Sequence, residues 1–317
     1  MINLSYHISQ VIEDNIKDIE ILRSKILITP IKPKDELKLK WEANINKAYW
    51  GLTLADNPLN KAHIVKLLSK PLPKRIKDSE KEVIDYMKTL NFIRDFWTAS
   101  KFTVDANNIL EIYDKSCKSV FGSTSTYFKS KEIDVTKILE FIGSGKEHPV
   151  IKAGLIQIEI SKLSPFENAT GRVARLLSHL ILSKYGYDLR GLLVIEDYYR
   201  EDIVSFKEAG KSIEKYKNAT KWLEYFTLGI KKGMEKVLKS VESINFEPAK
   251  VATWKLTDRQ KKIMEKLENP NIQITNRDVQ KMFTVSQITA SRDLSKMVNL
   301  GILLPHGKGR SVTYTKI

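Results

Sequence analysis

The sequence is poor in the residues that build disulfide scaffolds and metal clusters. Its 317 residues include one cysteine, Cys117, which excludes an internal disulfide and any cysteine-rich metal site. Only 14 glycines and 10 prolines occur, which excludes a collagen-like or low-complexity chain. No apolar run is long enough to span a bilayer, and the start, MINLSYHISQVIEDN, is too polar for a signal peptide. We therefore expect a cytoplasmic protein in a reducing environment, without a membrane as partner.

Acidic residues are fewer than basic residues. Lys and Arg number 53 against 38 Asp and Glu, which gives a formal net charge of +15 at pH 7. Residues 255–317 hold 12 basic and 5 acidic side chains, a net charge of +7 in 63 residues. A polyanionic partner would explain this excess, although lysine-rich solvated surfaces are common. Residues 243–254, SINFEPAKVATW, break the helical pattern with a proline and are predicted to form a linker between domains.

Apolar residues at helical spacing dominate the chain before this linker. In residues 172–184 they recur at i, i+3, i+4 and i+7, as Val173, Leu176, Leu177 and Leu180. Pro149 is predicted to open a helix that runs to Leu163, because proline suits a first helical position. Residues 121–134, FGSTSTYFKSKEID, are expected to form a loop or a small hairpin, followed by a short helix over 135–142. The predicted fold class is mainly α.

Residues 163–175, LSPFENATGRVAR, join a short loop to the start of a strongly amphipathic helix. Gly171 lies at the turn, and Arg172 and Arg175 lie in the first helical turn. Free backbone amides and the positive end of the helix dipole favour an anion at such a place. The two arginines are i,i+3 neighbours, so both guanidinium groups can converge on that anion. The segment is a candidate phosphate site, with two ordinary surface arginines as the alternative.

This segment resembles the signature of the Fic (Fido) family, His-Pro-Phe-x-(Asp/Glu)-Gly-Asn-Gly-Arg-x-x-Arg. The residues that match it in register are Pro165, Phe166, Gly171, Arg172 and Arg175. The preceding predicted helix is also similar to the family's, and so are the later stretches Tyr198-Tyr199 and 222–226 (WLEYF). The resemblance therefore covers about residues 10–235. It implies a Fic fold with an N-terminal helical region over 1–100 and a Fic core over 101–242. It also implies an adenylyltransferase-like use of ATP and Mg²⁺ to transfer AMP to a protein hydroxyl.

The motif departs from the family's residues at four positions. The resemblance implies that the motif histidine acts as general base, but here that position is Ser164, whose hydroxyl is far too weakly basic to replace imidazole. Asn168 stands where the family has the acid that holds Mg²⁺, and it lacks the charge that a hard cation prefers. Ala169 and Thr170 replace the Gly-Asn pair of the anion hole. The nucleotide and phosphate candidates are thus Thr170, Gly171, Arg172 and Arg175.

A second segment, residues 54–68, resembles the N-terminal inhibitory segment found in some Fic proteins. The resemblance implies a glutamate that pairs with the second motif arginine, here Arg175, and that position is Ala55. The Ser/Thr that the family has four residues earlier is Gly51. Loss of both the base and the inhibitory glutamate is most simply explained by loss of nucleotidyl transfer.

Other histidines do not offer a substitute base. By helix rise, His148 lies ~22 Å and His179 ~12 Å from the motif, so both are interpreted as structural. The Fic domain is therefore predicted to be a pseudoenzyme. Two alternatives stay open: an active protein nucleotidyltransferase with a non-standard site, and a scaffold that binds other proteins.

Residues 255–317 are predicted to form three short helices, a basic turn and a final strand. This order resembles a small winged helix-turn-helix domain, which implies that the third helix enters the major groove of DNA while the hairpin contacts the backbone. The residues on that helix that are candidates for base or phosphate contacts are Ser286, Gln287, Thr289 and Arg292. The candidates for phosphate contacts alone are Lys296, Lys308 and Arg310.

The sequence thus predicts a DNA-binding regulator. DNA is the expected partner, and a protein target is the alternative, because winged helices also bind proteins. A homodimer is considered because site-specific readout of DNA generally needs two copies.

Overall fold

A computed structural model of the chain describes residues 5–69, 75–98, 100–144, 146–243, 256–267, 272–299, 303–306 and 312–316. The chain divides into two compact units, Met1–Pro30 with Leu37–Ser243 and Ile31–Glu36 with Ile244–Ile317. Apart from Ser243, the predicted linker lies outside the described residues, and so do Lys308 and Arg310. None of the helices in the described ranges has the length and apolar character needed to cross a membrane.

The regular structure that is described over residues 5–243 is entirely helical. A π-helical turn, Ile93–Trp97, continues the fourth helix. The α-helices are α1 (Gln10–Ile28), α2 (Pro33–Thr53), α3 (Lys61–Leu68), α4 (Asp78–Phe92), α5 (Ala106–Ser116), α6 (Lys118–Phe121), α7 (Ser125–Ser144), α8 (Pro149–Leu163), α9 (Thr170–Lys184), α10 (Glu196–Glu201), α11 (Ile203–Tyr216) and α12 (Thr220–Glu242). The predicted mainly α fold class is confirmed.

The centre of the first unit is the helix pair α8 and α9. The loop that joins them, residues 164–169, contains most of the Fic-like motif and is called the motif loop below. All residues over 150–160 of α8 and over 172–183 of α9 are buried. A helix that is buried on every side needs other helices around it. Close packing of α12 on α8 requires Gly154, because a Cβ there would come within 3.0 Å of Leu223 and Phe226. The motif loop is therefore held by the most deeply buried part of the unit.

The start of α8 follows the sequence prediction. Pro149 is its first residue, and the ring of His148 accepts a hydrogen bond from the backbone N–H of Val150 at 3.3 Å. The other ring nitrogen of His148 lies 2.9 Å from Glu20 and 3.0 Å from the hydroxyl of Tyr187. His148 thus caps a helix and joins it to α1.

The expectation of a loop or hairpin over residues 121–134 is wrong, because α7 runs through most of this segment. The buried residues of α7 repeat at helical spacing: Phe128, Val135, Ile138, Leu139 and Ile142. The hydroxyl groups of Ser130 and Thr136 donate to carbonyls of the preceding turn, at 2.6 and 2.9 Å, which is how a helix accommodates such residues. Packing of Phe128 in the core outweighs the weak helix preference of the Ser and Thr residues.

Replacement of Phe128 by alanine is expected to lower the free energy of unfolding by about 3–5 kcal/mol, because the side chain is buried. Phe128 is 2% exposed, whereas its neighbour Tyr127 is 36% exposed. Tyr127→Ala is therefore the matched control and should cost under about 1 kcal/mol. Denaturant unfolding followed by circular dichroism measures both changes. Equal losses in the two variants would contradict this packing of α7.

The second unit combines three helices with a small sheet. The helices are α13 (Asp258–Lys266), α14 (Asn276–Phe283) and α15 (Gln287–Asn299), as predicted. The strands β1 (Ile274–Thr275), β2 (Leu303–His306) and β3 (Thr313–Lys316) form an antiparallel sheet in the order β1-β3-β2. Capping boxes start α13 at Thr257 and α14 at Thr275, where each threonine hydroxyl and the side chain three residues later satisfy backbone N–H groups.

A compact core holds this unit together. Its members are Leu256, Ile263, Leu267, Ile274, Val279, Ala290, Leu294, Met297 and Leu303. Asp293 of α15 is also buried, and it accepts hydrogen bonds from Arg259 and, at 2.8 Å, from Gln260. Because both donors belong to α13, this buried carboxylate fixes α15 against α13.

Candidate functional site

The motif loop 164–169 is anchored in the core by one aromatic ring. Phe166 stacks between Tyr113 of α5 and Phe128 of α7, with ring centroids 4.7 and 5.5 Å apart. The hydroxyl of Thr170 donates to the carbonyl of Phe166 at 3.1 Å, which closes the loop onto the start of α9. The loop therefore keeps its place through protein contacts alone.

Two residues of the loop have a left-handed backbone. Ser164, which ends α8, has φ 48°, and Ala169, which precedes α9, has φ 61°. This conformation is unfavourable by about 1–2 kcal/mol for a residue with a Cβ, whereas glycine adopts it freely. Ala169 stands where the resemblance implies glycine, so the loop retains a glycine backbone conformation without the glycine.

The position at which the resemblance implies a general base holds no basic group. Ser164 is exposed, and its hydroxyl donates to the carbonyl of Ser161 at 3.2 Å. The chain has five histidines, and each lies beside a polar side chain outside the loop. These pairs are His7 with Thr220, His63 with Glu80, His148 with Glu20, His179 with Glu196 and His306 with Thr315.

The first motif arginine is buried against an acidic side chain. Arg172 is 2% exposed, and its Nη2 lies 3.1 Å from a carboxylate oxygen of Glu82 on α4. The other oxygen of Glu82 accepts a hydrogen bond from Asn57 at 2.6 Å. The guanidinium also lies 5.6 Å from the ring centre of Phe121. Burial raises the pKa of the nearby Cys117 thiol, although the charge of Arg172 acts in the opposite direction.

The second motif arginine takes its acceptor from the backbone of α2. Arg175 is 7% exposed, and its Nη2 donates to the carbonyl of Gly51 at 2.7 Å. Burial lowers the pKa of this guanidinium, which Tyr86 and Glu196 partly oppose. Ala55, the position of the inhibitory glutamate in the resemblance, is exposed in the turn after α2. Arg175 is therefore bound by a carbonyl of α2, one helical turn before Ala55, and not by the side-chain position that the resemblance implies.

A buried polar cluster surrounds this contact and explains why residue 51 is glycine. A Cβ at Gly51 would lie 2.7 Å from the hydroxyl oxygen of Tyr86. That hydroxyl donates to Glu196 at 3.4 Å, and Glu196 lies 2.5 Å from His179. Burial favours the neutral form of Glu196, but His179 and Lys47 outweigh it and lower its pKa to about 2.

Sequence reasoning missed the partners of both arginines. Glu82 and Tyr86 lie on α4, which carries no motif, and the sequence marks Gly51 only as the position where the resembling family has Ser or Thr. Asn57 had a signal, because it lies within residues 54–68, which resemble the inhibitory segment. The others are joined to the motif only by tertiary contacts.

A cleft of about 340 Å³ opens beside the second arginine. Gly171 and Arg175 form part of its wall, and the basic side chains among the others outnumber the one acidic group, Glu214. These basic residues are Lys162, Lys207 and Lys211. An anion of phosphate size therefore fits the cleft electrostatically. A larger cavity of about 580 Å³, between the ends of α5, α7 and α9, contains no motif residue.

The residues at the motif do not fit the Mg²⁺ that the resemblance implies. Asn168 and the adjacent Glu167 are both exposed. In the described ranges, no group of three or more His, Cys, Asp or Glu side chains is arranged to hold a metal ion. Mg²⁺ prefers carboxylate oxygens together with the phosphates of its substrate, and one amide at the acid position is a poor substitute.

The candidates of the second unit that the structure describes lie on α15 or directly before it. Ser286 directly precedes α15, and Gln287, Arg292 and Lys296 are exposed on it. Thr289 is half-buried, and its hydroxyl lies 3.0 Å from that of Ser286. Lys308 and Arg310 belong to the sequence between β2 and β3.

The contact between Gly51 and Tyr86 can be tested by Gly51→Ala, which should lower the free energy of unfolding by about 1–3 kcal/mol through overlap with the tyrosine hydroxyl. A second change, Tyr86→Phe, removes the overlapping atom and should recover part of the loss. Gly171→Ala is the matched control, because its Cβ would come no closer than 3.6 Å to Arg175. Thermal unfolding of all four variants, including Tyr86→Phe alone, measures the coupling. An additive double variant would contradict the contact.

Three solved structures of Fic proteins are similar to this chain. A Fic family protein from Desulfovibrio desulfuricans G20 is 14% identical, with 99% of this chain and 98% of that chain covered and a TM-score of 0.62. A Fic domain-containing signaling protein from Bacteroides thetaiotaomicron is 18% identical over 73% of this chain and 100% of its own, with a TM-score of 0.61. Fic-1 from C. elegans is 15% identical over 72% and 71% of the two chains, with a TM-score of 0.60.

No protein-family model matches the sequence, and no curated protein matches it either. At identities of 14–18%, the structural likeness establishes the fold and leaves the activity to be argued from the site. The chain has a mainly α Fic fold.

Proposed function

We propose that this chain is a DNA-binding regulator built on a Fic fold that has lost nucleotidyl transfer. The observation that carries the loss is the absence of a base at the motif: the base position is Ser164, and all five histidines have side-chain partners outside the loop. Transfer of AMP to a hydroxyl requires a group that accepts the hydroxyl proton. A serine that donates to a backbone carbonyl cannot do so at neutral pH.

The electrostatics of the motif support the same proposal. Glu82 lies 3.1 Å from Arg172, so a phosphate would have to compete with a carboxylate that is already in place. Arg175 donates to a backbone carbonyl, which leaves fewer donors for an incoming anion. Asn168 adds no charge for a metal ion. Each part of a transfer site is thus weakened by a different change.

The second unit supports the DNA-binding part of the proposal. Its described elements follow the order α13, β1, α14, α15, β2, β3, which is compatible with the proposed winged helix. Residues 255–317 carry a net charge of +7, and such a charge favours a phosphate backbone. Exposed Gln287 and Arg292 on α15 would reach base edges or phosphates, with Lys296 further along the helix. In this proposal the sequence between β2 and β3, which includes Lys308 and Arg310, would supply the wing.

A second candidate function is nucleotide binding without transfer. It is favoured by the cleft beside Gly171 and Arg175, whose basic residues outnumber its acidic one. The alternatives of an active transferase and of a protein scaffold predict different outcomes in the experiments below.

Incubation of the chain with Mg²⁺ and ATP labelled on the α-phosphate should leave protein unlabelled. We expect any transfer to be confined to the variant Ser164→His, Asn168→Glu, because loss of a general base alone costs about 10²–10⁴ in rate. Labelling by the unmodified chain that disappears in a folded Arg172→Ala variant would contradict the proposal. Labelled ATP that is retained but not transferred would favour nucleotide binding.

Retention of genomic DNA fragments on the chain should fall steeply as salt rises from about 50 to 200 mM, because phosphate contacts release counterions. Arg292→Ala should weaken binding by about 1–3 kcal/mol, and Arg310→Ala should also reduce the salt dependence. Arg200→Ala is the matched control, since it removes the same charge from an exposed position in the first unit. Filter binding at several salt concentrations measures these effects. Absence of retention at low salt would contradict DNA binding.

A further inference from the structure

The outward face of α15 carries an apolar side chain at its first turn. Ile288 is 66% exposed, whereas the other apolar residues near it on the helix, Ala290 and Leu294, are fully buried. Arg292 follows Ile288 by four residues and is also exposed. Residues at i and i+4 share one face of a helix, so an isoleucine and an arginine are presented side by side.

Several polar groups around Ile288 are engaged in fixing the start of the helix. The hydroxyl of Ser286 accepts a hydrogen bond from the backbone N–H of Thr289 at 3.2 Å. The amide of Asn276 on α14 donates to the carbonyl of Gln287 at 3.3 Å. These bonds hold the first turn of α15 in a defined orientation against α14. The backbone that carries Ile288 is therefore fixed, and its exposed side chain leaves a well-defined helical turn.

We propose that Ile288 contacts the 5-methyl group of a thymine in the major groove, so that the preferred DNA site contains a thymine at that position. The proposal rests on the DNA-binding function proposed above. Thymine is the base that presents a methyl group in the major groove, and an aliphatic side chain packs against it. Cytosine presents an amino group there, which an isoleucine would desolvate without a hydrogen bond.

Single exposed apolar residues are common on proteins and by themselves indicate nothing. Two observations favour DNA over a protein surface as the occupant here. Arg292 lies on the same face, and residues 255–317 carry a net charge of +7. A polyanion with an apolar group at the floor of its groove matches this combination of charge and shape. If Ile288 contacted a protein instead of DNA, removal of the thymine methyl would leave DNA binding unchanged.

The test uses the full chain and short random duplexes, from which the retained sequences are selected at low salt. Each thymine of a selected duplex is then replaced singly by deoxyuridine, which lacks only the methyl group. One position should weaken binding of the unmodified chain by about fourfold, the factor expected for one buried methyl-sized group. Ile288→Ala should bind both duplexes equally, and Ile288→Val should retain most of the discrimination.

Ile133→Ala is the matched control, because Ile133 is 72% exposed on α7 of the first unit and should leave discrimination unchanged. Salt-dependent binding with no sensitive thymine, or with equal sensitivity in Ile288→Ala, would overturn this proposal while DNA binding stands. Failure to retain any duplex at low salt would overturn both.

Discussion

Burial of two guanidinium groups is the constraint on which the first unit depends. Helix α9 is buried over 172–183, so neither Arg172 nor Arg175 can keep its charge in water. A buried charge is strongly destabilising unless it is paired or hydrogen-bonded. The acceptors come from the N-terminal helices, as the carboxylate of Glu82 and the carbonyl of Gly51. These two contacts bind the N-terminal region to the motif helix, and that region is therefore part of the core structure.

The same contacts limit what the motif can bind. The donors that stabilise the fold belong to the two arginines that, by the resemblance, would bind a nucleotide phosphate. The pairing is nevertheless incomplete: Nε and Nη1 of Arg172 and Nε of Arg175 are buried without a hydrogen-bond partner among the described residues. Buried donors without a partner lower the stability of the folded state. An added hydrogen-bond acceptor at these atoms would therefore be stabilising. These unpaired donors, beside a basic cleft, are the physical basis on which we propose nucleotide binding without transfer as the second candidate function.

Much of the fold follows from local sequence signals. The periodicity of residues 172–184 and the proline at 149 predict α9 and α8 correctly, because each signal acts within one helix. The segment 121–134 does not, since its Ser and Thr content suggests a loop while the stack of Phe128 on Phe166 determines a helix. The pairing of Arg175 with Gly51 joins residues 124 positions apart, and no local pattern encodes such a contact.

Burial separates the positions that match the Fic signature from those that differ from it. Pro165, Phe166, Arg172 and Arg175 match the Fic signature and are all buried, where they fill the core or tie helices together. The positions that differ, 164, 168, 169 and 170, are exposed or half-buried, and a ligand would be their main contact. Gly171 is the exception, since it matches the signature but is exposed. Packing alone thus explains most of the surviving motif, and the loop persists even though Ala169 pays for a left-handed backbone. A motif kept for its packing and altered where it would meet a substrate is what loss of transfer predicts.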